Sequence, residues 1–409
     1  MVEVSEFLDG ALTRGVSFFA GVPCSYLTPL IDATIARKDC QYVGAANEGD
    51  AVALAAGAYL GGGGQTFGLA MMQNSGLGNA VSPLASLTSV FNLPLLLVVT
   101  LRGDPEHPDE PQHRLMGQVT QPLLELLEIP CEPFPSSTQD LQPTLDRARA
   151  YMTRSERPYA LIMHKGDVAK PANPSFKRAS PSACRPSQRA SAWSEEIVER
   201  PTRTQTLARL LECTNDAHTV VIASTGYTGR ELYALADRSN HLYMVGSMGC
   251  ASSLALGLAL TRPDLRVIVI DGDGAALMRM GNMATIGAEH PANLIHLLLD
   301  NEVHESTGAQ ATVAASMSFA QVAAACRYAL VVEGDTLNVI DQVLDGNRPR
   351  GPRFGHLKIA RGIPTNLPRP EVTPSEVRTR LMNHVGGGCD TPMPSNCDEP
   401  VSMVAGQSL

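Results

Sequence analysis

The 409-residue chain has no run of apolar residues near the roughly 20 that a membrane-spanning helix needs, so we expect no membrane association. Its opening residues lack the basic region and apolar stretch of an export signal, and we therefore expect a cytoplasmic protein. The nine cysteines include no CxxC pair, which argues against a disulfide framework or a zinc site. Lysine and arginine form no block and the net charge is −9, so we expect no nucleic-acid partner.

A chain of this length exceeds the usual size of one hydrophobic core, which predicts two domains. Short apolar runs alternate with amphipathic stretches, a pattern typical of a parallel sheet flanked by helices. The predicted strands are residues 66–72, 94–101 and 159–163 in the first half and 218–223, 267–270, 294–299 and 329–332 in the second. The fold class is therefore α/β, with both halves of the same sheet type.

Composition sets the predicted domain boundaries. The first domain covers residues 1–170 and the second 201–365. Residues 171–200 are rich in Pro, Ser and Arg, which indicates an exposed linker. Residues 366–409 form a C-terminal extension, and its Gly, Pro and Ser content predicts disorder from about residue 385.

The most informative segment starts in the strand at residue 267. That strand runs into Gly272-Asp273-Gly274, and the next strand ends at Asp300-Asn301. Carboxyl ends of parallel strands open onto one ligand-binding edge. Glycines at a strand-to-helix turn let backbone N–H groups approach a phosphate, while Asp and Asn oxygens suit Mg²⁺ or Ca²⁺. The two turns together predict a site for a metal and a diphosphate, although the glycine triplet alone could be an ordinary tight turn.

Three further segments carry candidate residues, each with a purely structural alternative. Glu48 opens a helix of small residues and could be simply an acid favoured by the helix dipole. Thr225, Gly226, Tyr227 and Thr228 follow a strand and could be a helix-capping cluster. Met248 could be a core methionine.

The spacing of these motifs resembles the signature of thiamine diphosphate enzymes. Residues 275–299 separate the Gly-Asp-Gly triplet from Asp300-Asn301, and Asp300 stands where that signature has a first Asn. The resemblance implies two thiamine diphosphate-binding-type domains without a middle domain, the N-terminal one binding the pyrimidine ring and the C-terminal one the diphosphate. It also implies a homodimer or higher homo-oligomer, with active sites between subunits.

The resemblance assigns roles to individual residues. Asp273, Asn301 and the Val303 carbonyl would hold Mg²⁺ against the cofactor diphosphate, and Glu48 would hydrogen-bond the pyrimidine ring as the catalytic carboxylate. The carbonyl of Gly246 would receive the pyrimidine amine, and Met248 would hold the cofactor bent. The remaining predicted cofactor contacts are Thr225, Gly226, Tyr227, Thr228, Gly272, Gly274 and Ala275.

Long strings at residues 18–30 and 72–113 resemble one branch, the phosphonopyruvate decarboxylases, with sulfopyruvate decarboxylases as near kin. This branch implies decarboxylation of 3-phosphonopyruvate to phosphonoacetaldehyde and CO2, dependent on thiamine diphosphate and Mg²⁺, in phosphonate biosynthesis. Alternatives are sulfopyruvate decarboxylation, carboligation of 2-oxo acids and a non-catalytic thiamine-fold protein. Sulfopyruvate decarboxylase is commonly split into two subunits, so a chain that carries both halves is expected to distinguish the two activities only in part.

Predicted substrate contacts lie after strands of the first half. A substrate with a carboxylate and a phosphonate needs donors for two anionic ends. The candidates are Ser25, Gln73, Asn74, Arg102 and His113. His113 and His304 compete for the role of proton donor, because histidine changes its charge near neutral pH.

Overall fold

A computed structural model describes residues 1–104, 109–169, 187–195 and 199–386 of the chain. Two parallel sheets, each flanked by helices, form two α/β domains. The predicted fold class is confirmed, and the described residues contain no middle domain. No helix in these ranges is long and apolar enough to cross a membrane.

The first domain carries a six-stranded sheet in the order β2-β1-β3-β4-β6-β5. A short π-helix, Leu84–Thr88, links α4 to α5. The elements are α1 (Val4–Leu12), β1 (Val16–Gly21), α2 (Thr28–Ala36), β2 (Gln41–Gly44), α3 (Glu48–Gly61), β3 (Phe67–Gln73), α4 (Leu77–Pro83), α5 (Ser89–Phe91), β4 (Leu96–Thr100), α6 (Arg114–Leu126), β5 (Cys131–Pro133), α7 (Thr138–Ser155) and β6 (Tyr159–Met163).

The second domain carries a seven-stranded sheet in the order β7-β14-β15-β11-β10-β8-β9, beside the antiparallel pair β12 and β13. The elements are β7 (Gln188–Ala192), α8 (Arg203–Cys213), β8 (Thr219–Ala223), α9 (Tyr227–Leu235), β9 (His241–Tyr243), α10 (Ala251–Thr261), β10 (Arg266–Gly272), α11 (Asp273–Met278), α12 (Gly281–Glu289), β11 (Leu294–Asp300), β12 (Val303–His304), β13 (Gln310–Ala311), α13 (Phe319–Ala325), β14 (Leu330–Gly334), α14 (Asn338–Leu344) and β15 (Arg353–Lys358). Helix α15 (Pro374–Gly386) follows.

Both sheets follow the same path. Apart from β7, the second sheet runs β9-β8-β10-β11-β15-β14, which repeats the order β2-β1-β3-β4-β6-β5 of the first sheet with corresponding strands. All seven strands predicted from apolar runs lie in these two sheets. The two halves are therefore copies of one topology, which their sequences do not reveal as a repeat.

One predicted boundary differs from the structure. Strand β7 lies inside residues 171–200, assigned to the linker, and pairs in parallel with β14. Its sequence, Gln-Arg-Ala-Ser-Ala, contains no large apolar residue because it is an exposed edge strand, so the hydrophobic pattern did not indicate it. The rest of residues 171–200 lies largely outside the described ranges.

The C-terminal extension begins as an ordered part of the fold. On α15, Val377 and Leu381 are buried, and Arg378 donates to the carbonyl of Asn92 at 2.6 Å and to Glu156 at 3.0 Å. The helix ends at Gly386. Residues 387–409 lie outside the described ranges.

Helices α3 and α10 join the two domains. A Cβ on Gly57 would lie 2.0 Å from the carbonyl oxygen of Leu254, and one on Gly257 would lie 2.1 Å from that of Leu54. Only glycine allows backbones to approach this closely. The crossing fixes the first residue of α3, Glu48, relative to the loop before α10, which contains Met248.

Candidate active site

Most of the predicted C-terminal site residues line one cleft. It opens at the carboxyl ends of β8, β10 and β11, where the turns after the strands meet. The predicted residues that line it are Thr225, Gly226, Tyr227, Thr228, Met248, Gly272, Asp273, Gly274, Ala275, Asn301, Val303 and His304. We call this cleft the diphosphate cleft. Gly246 lies outside it.

Oxygen atoms suited to a hard cation converge in the diphosphate cleft. Asp273 opens α11 with 2% of its surface exposed, accepts a hydrogen bond from the Thr312 hydroxyl, and has its pKa raised by burial. The amide oxygen of Asn301 accepts from the Val303 N–H at 3.3 Å. In the described ranges no group of three or more His, Cys, Asp or Glu side chains could hold a metal. This donor set fits Mg²⁺ only if other oxygens, such as those of a diphosphate, complete its shell.

The backbone around the cleft leaves room for a ligand. A Cβ built on Gly272 would meet nothing within 4 Å. Gly226 has φ +102° and ψ −146°, which side-chain-bearing residues rarely adopt, and it stands directly before the first residue of α9. An open backbone turn at a helix N-terminus is suited to binding an anionic group.

Asp300, the residue that departs from the thiamine signature, is not among the residues lining the cleft. It is fully buried and accepts hydrogen bonds from His356 and Lys358, both at 2.8 Å, while Lys358 also donates to Glu302 at 2.8 Å. Burial opposes its ionisation, but these hydrogen bonds outweigh burial and lower the pKa of Asp300. The replacement therefore supports the turn that carries Asn301 and leaves the cleft oxygens unchanged.

Sequence reasoning missed two charged residues of the cleft, Arg203 and Glu305. The side chain of Arg203 is buried and pairs with Glu231 at 2.6 Å and with Glu305. The Gly362 N–H also donates to Glu305, at 2.5 Å. Because Glu231 and Glu305 both pair with Arg203, its guanidinium is not free to bind a ligand. The pair with Glu305 instead holds the turn after His304 in place. No local signal predicts this, since the partners are distant in sequence.

Glu48 is held at the first position of α3. Asn47 caps the helix by accepting from the Gly49 N–H at 2.8 Å, and the Asn79 side-chain amide donates to Glu48 Oε2 at 2.8 Å. A Cβ on Gly76 would lie 2.2 Å from Glu48 Oε1, so the carboxylate lies directly against that glycine. Glu48 is half-buried with a fixed orientation.

The loop with Gly246 and Met248 is fastened to the first domain. Ser247, at φ +50°, donates from its N–H to the Ser86 hydroxyl at 2.9 Å, and the two hydroxyls are 2.8 Å apart. Met248 lines both the diphosphate cleft and a second cleft, which contains Asn47 and Asn79. Within one chain, Met248 therefore lies between the diphosphate cleft and the second cleft near Glu48. This arrangement does not itself require a second subunit.

The predicted substrate residues lie at the carboxyl edge of the first sheet, and Asn74 is not available there. It is fully buried and donates to the Arg102 carbonyl at 2.8 Å and to the Thr120 hydroxyl at 3.1 Å. Its amide therefore holds the ends of β3 and β4 together. Gln73 donates to Ser75 at 2.6 Å, and Ser25 is exposed.

The side chain of Arg102 is also paired with another residue of the protein. Its guanidinium donates to both oxygens of Asp109, at 2.7 and 2.5 Å, and holds the pKa of Asp109 well below its usual range. It also lies 4.9 Å from the centre of the Tyr26 ring. In this structure Asp109 therefore occupies the guanidinium of Arg102, one of the predicted substrate contacts.

The two histidines proposed as proton donors lie in different places. His304 lines the diphosphate cleft, and a Cβ on Gly274 would lie 2.2 Å from its ring. His113 ends the turn before α6, is 8% exposed, and has no hydrogen-bond partner for Nδ1 among the described residues. Part of the loop before it, residues 105–108, lies outside the described ranges.

Comparison with known proteins agrees with this geometry. Residues 2–123 match the N-terminal TPP-binding domain of thiamine pyrophosphate enzymes, and residues 224–348 match the C-terminal TPP-binding domain. Phosphonopyruvate decarboxylase of Streptomyces viridochromogenes is 42% identical over 388 residues, covering 93% of this chain and 94% of that protein. Sulfopyruvate decarboxylase of Methanosarcina acetivorans is 30% identical over 312 residues, covering 73% and 76%.

The fold also matches solved structures. A thiamine diphosphate-dependent 4-hydroxybenzoylformate decarboxylase of Rhodococcus jostii RHA1 superposes with a TM-score of 0.65 at 12% identity, covering 87% of this chain and 98% of that one. At this identity the match concerns the fold alone. From the matched domains and the relatives similar over most of their length, the chain belongs to the thiamine pyrophosphate enzymes, in the family of the phosphonopyruvate decarboxylases.

Proposed function

We propose that the protein is a carboxy-lyase that converts 3-phosphonopyruvate to phosphonoacetaldehyde and CO2 with thiamine diphosphate and Mg²⁺. The observation that carries the proposal is that two half-sites meet at Met248. One half-site is the diphosphate cleft, and the other is the second cleft, which contains Asn47 and Asn79 beside Glu48. The 42% identity to a phosphonopyruvate decarboxylase over nearly the whole chain supports this substrate.

The cleft suits the diphosphate end of the cofactor. Asp273, Asn301 and the Val303 carbonyl would hold Mg²⁺, whose remaining ligands would include diphosphate oxygens. The open turn at Gly272 and the N-terminus of α9 after Gly226 would donate backbone N–H groups to the phosphates. When bound, the cofactor supplies an electron sink for the bond that breaks as CO2 leaves.

The protein's own groups then hold and move protons. Glu48, fixed by Asn79, would hydrogen-bond the pyrimidine ring and share its proton with it. The carbonyl of Gly246 would accept from the pyrimidine amine, and Met248 would keep the cofactor bent between the half-sites. His304 is the better placed proton donor, because it lines the cleft and His113 does not.

Neutral side chains at the edge of the first sheet remain as hydrogen-bond donors to the anionic ends of the substrate. Ser25 is exposed after β1, and Gln73 ends β3 with its amide towards Ser75. Arg102 would reach a phosphonate only by exchanging its bonds to Asp109, which would have to move aside. His113, with an unpartnered Nδ1, is the other group of this edge able to donate to the substrate.

Sulfopyruvate decarboxylation is the second candidate, and domain arrangement distinguishes it only in part. The relative from Methanosarcina acetivorans is a sulfopyruvate decarboxylase that this chain matches over 73% of its length in a single alignment. A chain with both halves therefore does not separate the two activities, and only the recognition of phosphonate against sulfonate can do so.

The test is release of CO2 and aldehyde from phosphonopyruvate, sulfopyruvate and pyruvate in parallel, with and without thiamine diphosphate and Mg²⁺. We expect turnover to require both cofactors and to be fastest with phosphonopyruvate. Chelation of the metal should abolish turnover, and added Mg²⁺ should restore it. Preference for sulfopyruvate would overturn the substrate assignment, and turnover independent of thiamine diphosphate would overturn the whole proposal.

We also propose that the protein forms a homodimer or higher homo-oligomer, with active sites at the interface. Met278 lines the second cleft, and Val245 lies three residues before Met248 of the same cleft. They are 57% and 51% exposed although apolar. A second copy that covers them would remove this apolar surface from water. Sedimentation velocity should give at least twice the mass of one chain, and a Met278→Glu variant should shift the protein towards monomer. A monomeric wild-type protein that turns over would contradict the proposed assembly.

We place the reaction in the cytoplasm. The six cysteines among the described residues are all unpaired, which agrees with a reducing compartment.

A further inference from the structure

Arg279 crosses from the second domain into the first. It follows α11 directly, and its side chain extends between two glycines, one in each domain. A Cβ on Gly249 would lie 2.6 Å from Arg279 Cγ, and one on Gly49 would lie 2.3 Å from Arg279 Nη1. Gly249 follows Met248 and Gly49 follows Glu48. The two glycines make room for one side chain that joins the two half-sites.

The guanidinium contacts both residues that support Glu48. Nη1 donates to the side-chain oxygen of Asn47, the residue that caps α3. Nη2 donates to the backbone carbonyl of Asn79, at 3.4 Å, and the side chain of Asn79 donates to Glu48. Arg279 is therefore connected to Glu48 through two residues: Asn47, which caps the helix, and Asn79, which donates to the carboxylate.

A buried acid fixes the position of this cation. Asp50, 1% exposed, has its Oδ1 3.7 Å from Arg279 Nη1 and accepts from the Ser253 hydroxyl at 3.0 Å. Burial raises the pKa of Asp50 to about 6, and the nearby guanidinium opposes that rise. With 14% of its side chain exposed, Arg279 is held by three partners from the first domain and is not a mobile surface arginine.

We propose that Arg279, which follows the diphosphate-binding helix α11, is a positioning residue that fixes the orientation of the Glu48 carboxylate of its own chain through Asn47 and Asn79. The helix begins at Asp273 and ends at Met278, immediately before Arg279. This inference rests on the proposed function.

The test separates cofactor binding from the action of Glu48. Arg279→Met and Arg279→Lys are compared with the wild type in thiamine diphosphate affinity, measured by calorimetry with Mg²⁺, and in exchange of the C2 proton of the bound cofactor with deuterium, measured by NMR. We expect affinity within about threefold of the wild type and exchange slower by about tenfold or more in Arg279→Met, because small misplacements of reacting groups have large kinetic effects. Arg279→Lys should recover only part of the rate, since an ammonium group cannot make the two-branched contact.

A matched control removes an arginine elsewhere. Arg209 on α8 pairs with Glu212 and Asp341 at the surface, so Arg209→Met removes the same charge from the same domain. Its exchange rate should equal that of the wild type. An Arg279→Met exchange rate equal to that of the wild type, or a fall in cofactor affinity as large as the fall in exchange, would overturn the inference.

A second variant tests the same contact from the other side. Gly49→Ala places a methyl group where the guanidinium lies and should slow exchange in the presence of Arg279. In the Gly49→Ala, Arg279→Met double variant it should add little, because the contact is already lost. Additive losses would mean that the two positions act separately, against the inference. If the wild type neither binds thiamine diphosphate nor exchanges the proton, the proposed function fails and the inference falls with it. Normal exchange in both the wild type and Arg279→Met would refute the inference alone.

Discussion

Replacing Glu48 by alanine is expected to lower kcat for decarboxylation by about a thousandfold, the usual size of an acid–base contribution. The carboxylate is held by Asn79 at 2.8 Å in a fixed orientation, and the other acid in the first turn of α3, Asp50, is buried and accepts from Ser253. Cofactor and metal affinity should remain within about tenfold of the wild type, because the diphosphate cleft lies in the other domain. Turnover and calorimetric affinity, measured on the same preparation, check both parts.

A pair of glycine variants serves as the control for the Glu48 prediction. Gly76→Ala places a methyl group 2.2 Å from the Glu48 carboxylate and should displace it, lowering kcat while leaving the protein folded. Gly78→Ala, two residues along the same chain, would meet nothing within 4 Å and should leave kcat unchanged. Full turnover in Glu48→Ala, or equal effects of the two alanines, would contradict the role of Glu48.

Replacing Asp273 by alanine is expected to weaken the binding of Mg²⁺ and thiamine diphosphate by more than about a hundredfold, because the described residues of the cleft include no second unpaired carboxylate to take its place. Glu305 also borders the cleft, but it is paired with Arg203. The variant should fold normally, since removing a buried acid whose pKa is raised by burial relieves a desolvation cost. Calorimetry with and without Mg²⁺, together with circular dichroism, measures binding and fold.

The matched control for Asp273 is Asp264→Ala. Asp264 precedes β10 in the same domain, is exposed and pairs with Arg262. We expect unchanged cofactor affinity in this variant. Wild-type affinity in Asp273→Ala would show that the metal and diphosphate are bound elsewhere.

The apolar strands and the glycine turns after them could be predicted from the sequence, because a strand buried on both faces is almost wholly apolar. Strand β7 could not be predicted in this way, since an edge strand of small and polar residues has no such pattern. The order of strands also had to come from the structure. Hydrophobic periodicity indicates that a segment is buried but not which strands are its neighbours.

The site residues also divide into those whose placement the sequence indicates and those whose partners it does not reveal. Motifs that belong to one turn, such as Gly272 to Ala275, lie at the cleft as the sequence predicted their placement. Residues judged by chemical type alone were less predictable, because a polar side chain can be occupied by a partner distant in sequence. Asn74 is occupied by Arg102 and Thr120, and Arg102 by Asp109 across a loop. Arg279 gave no signal, because its role depends on two glycines far apart in the chain.

The central claim is that a single cofactor spans the two half-sites that meet at Met248. The most direct measurement is a crystal structure of the protein with thiamine diphosphate and Mg²⁺. We predict Mg²⁺ between Asp273, Asn301, the Val303 carbonyl and the diphosphate, and the pyrimidine ring within hydrogen-bonding distance of a Glu48 carboxylate. The same structure shows whether that Glu48 belongs to the same chain or to a second copy. A cofactor bound without contact to Asp273 or to any Glu48 would contradict the account.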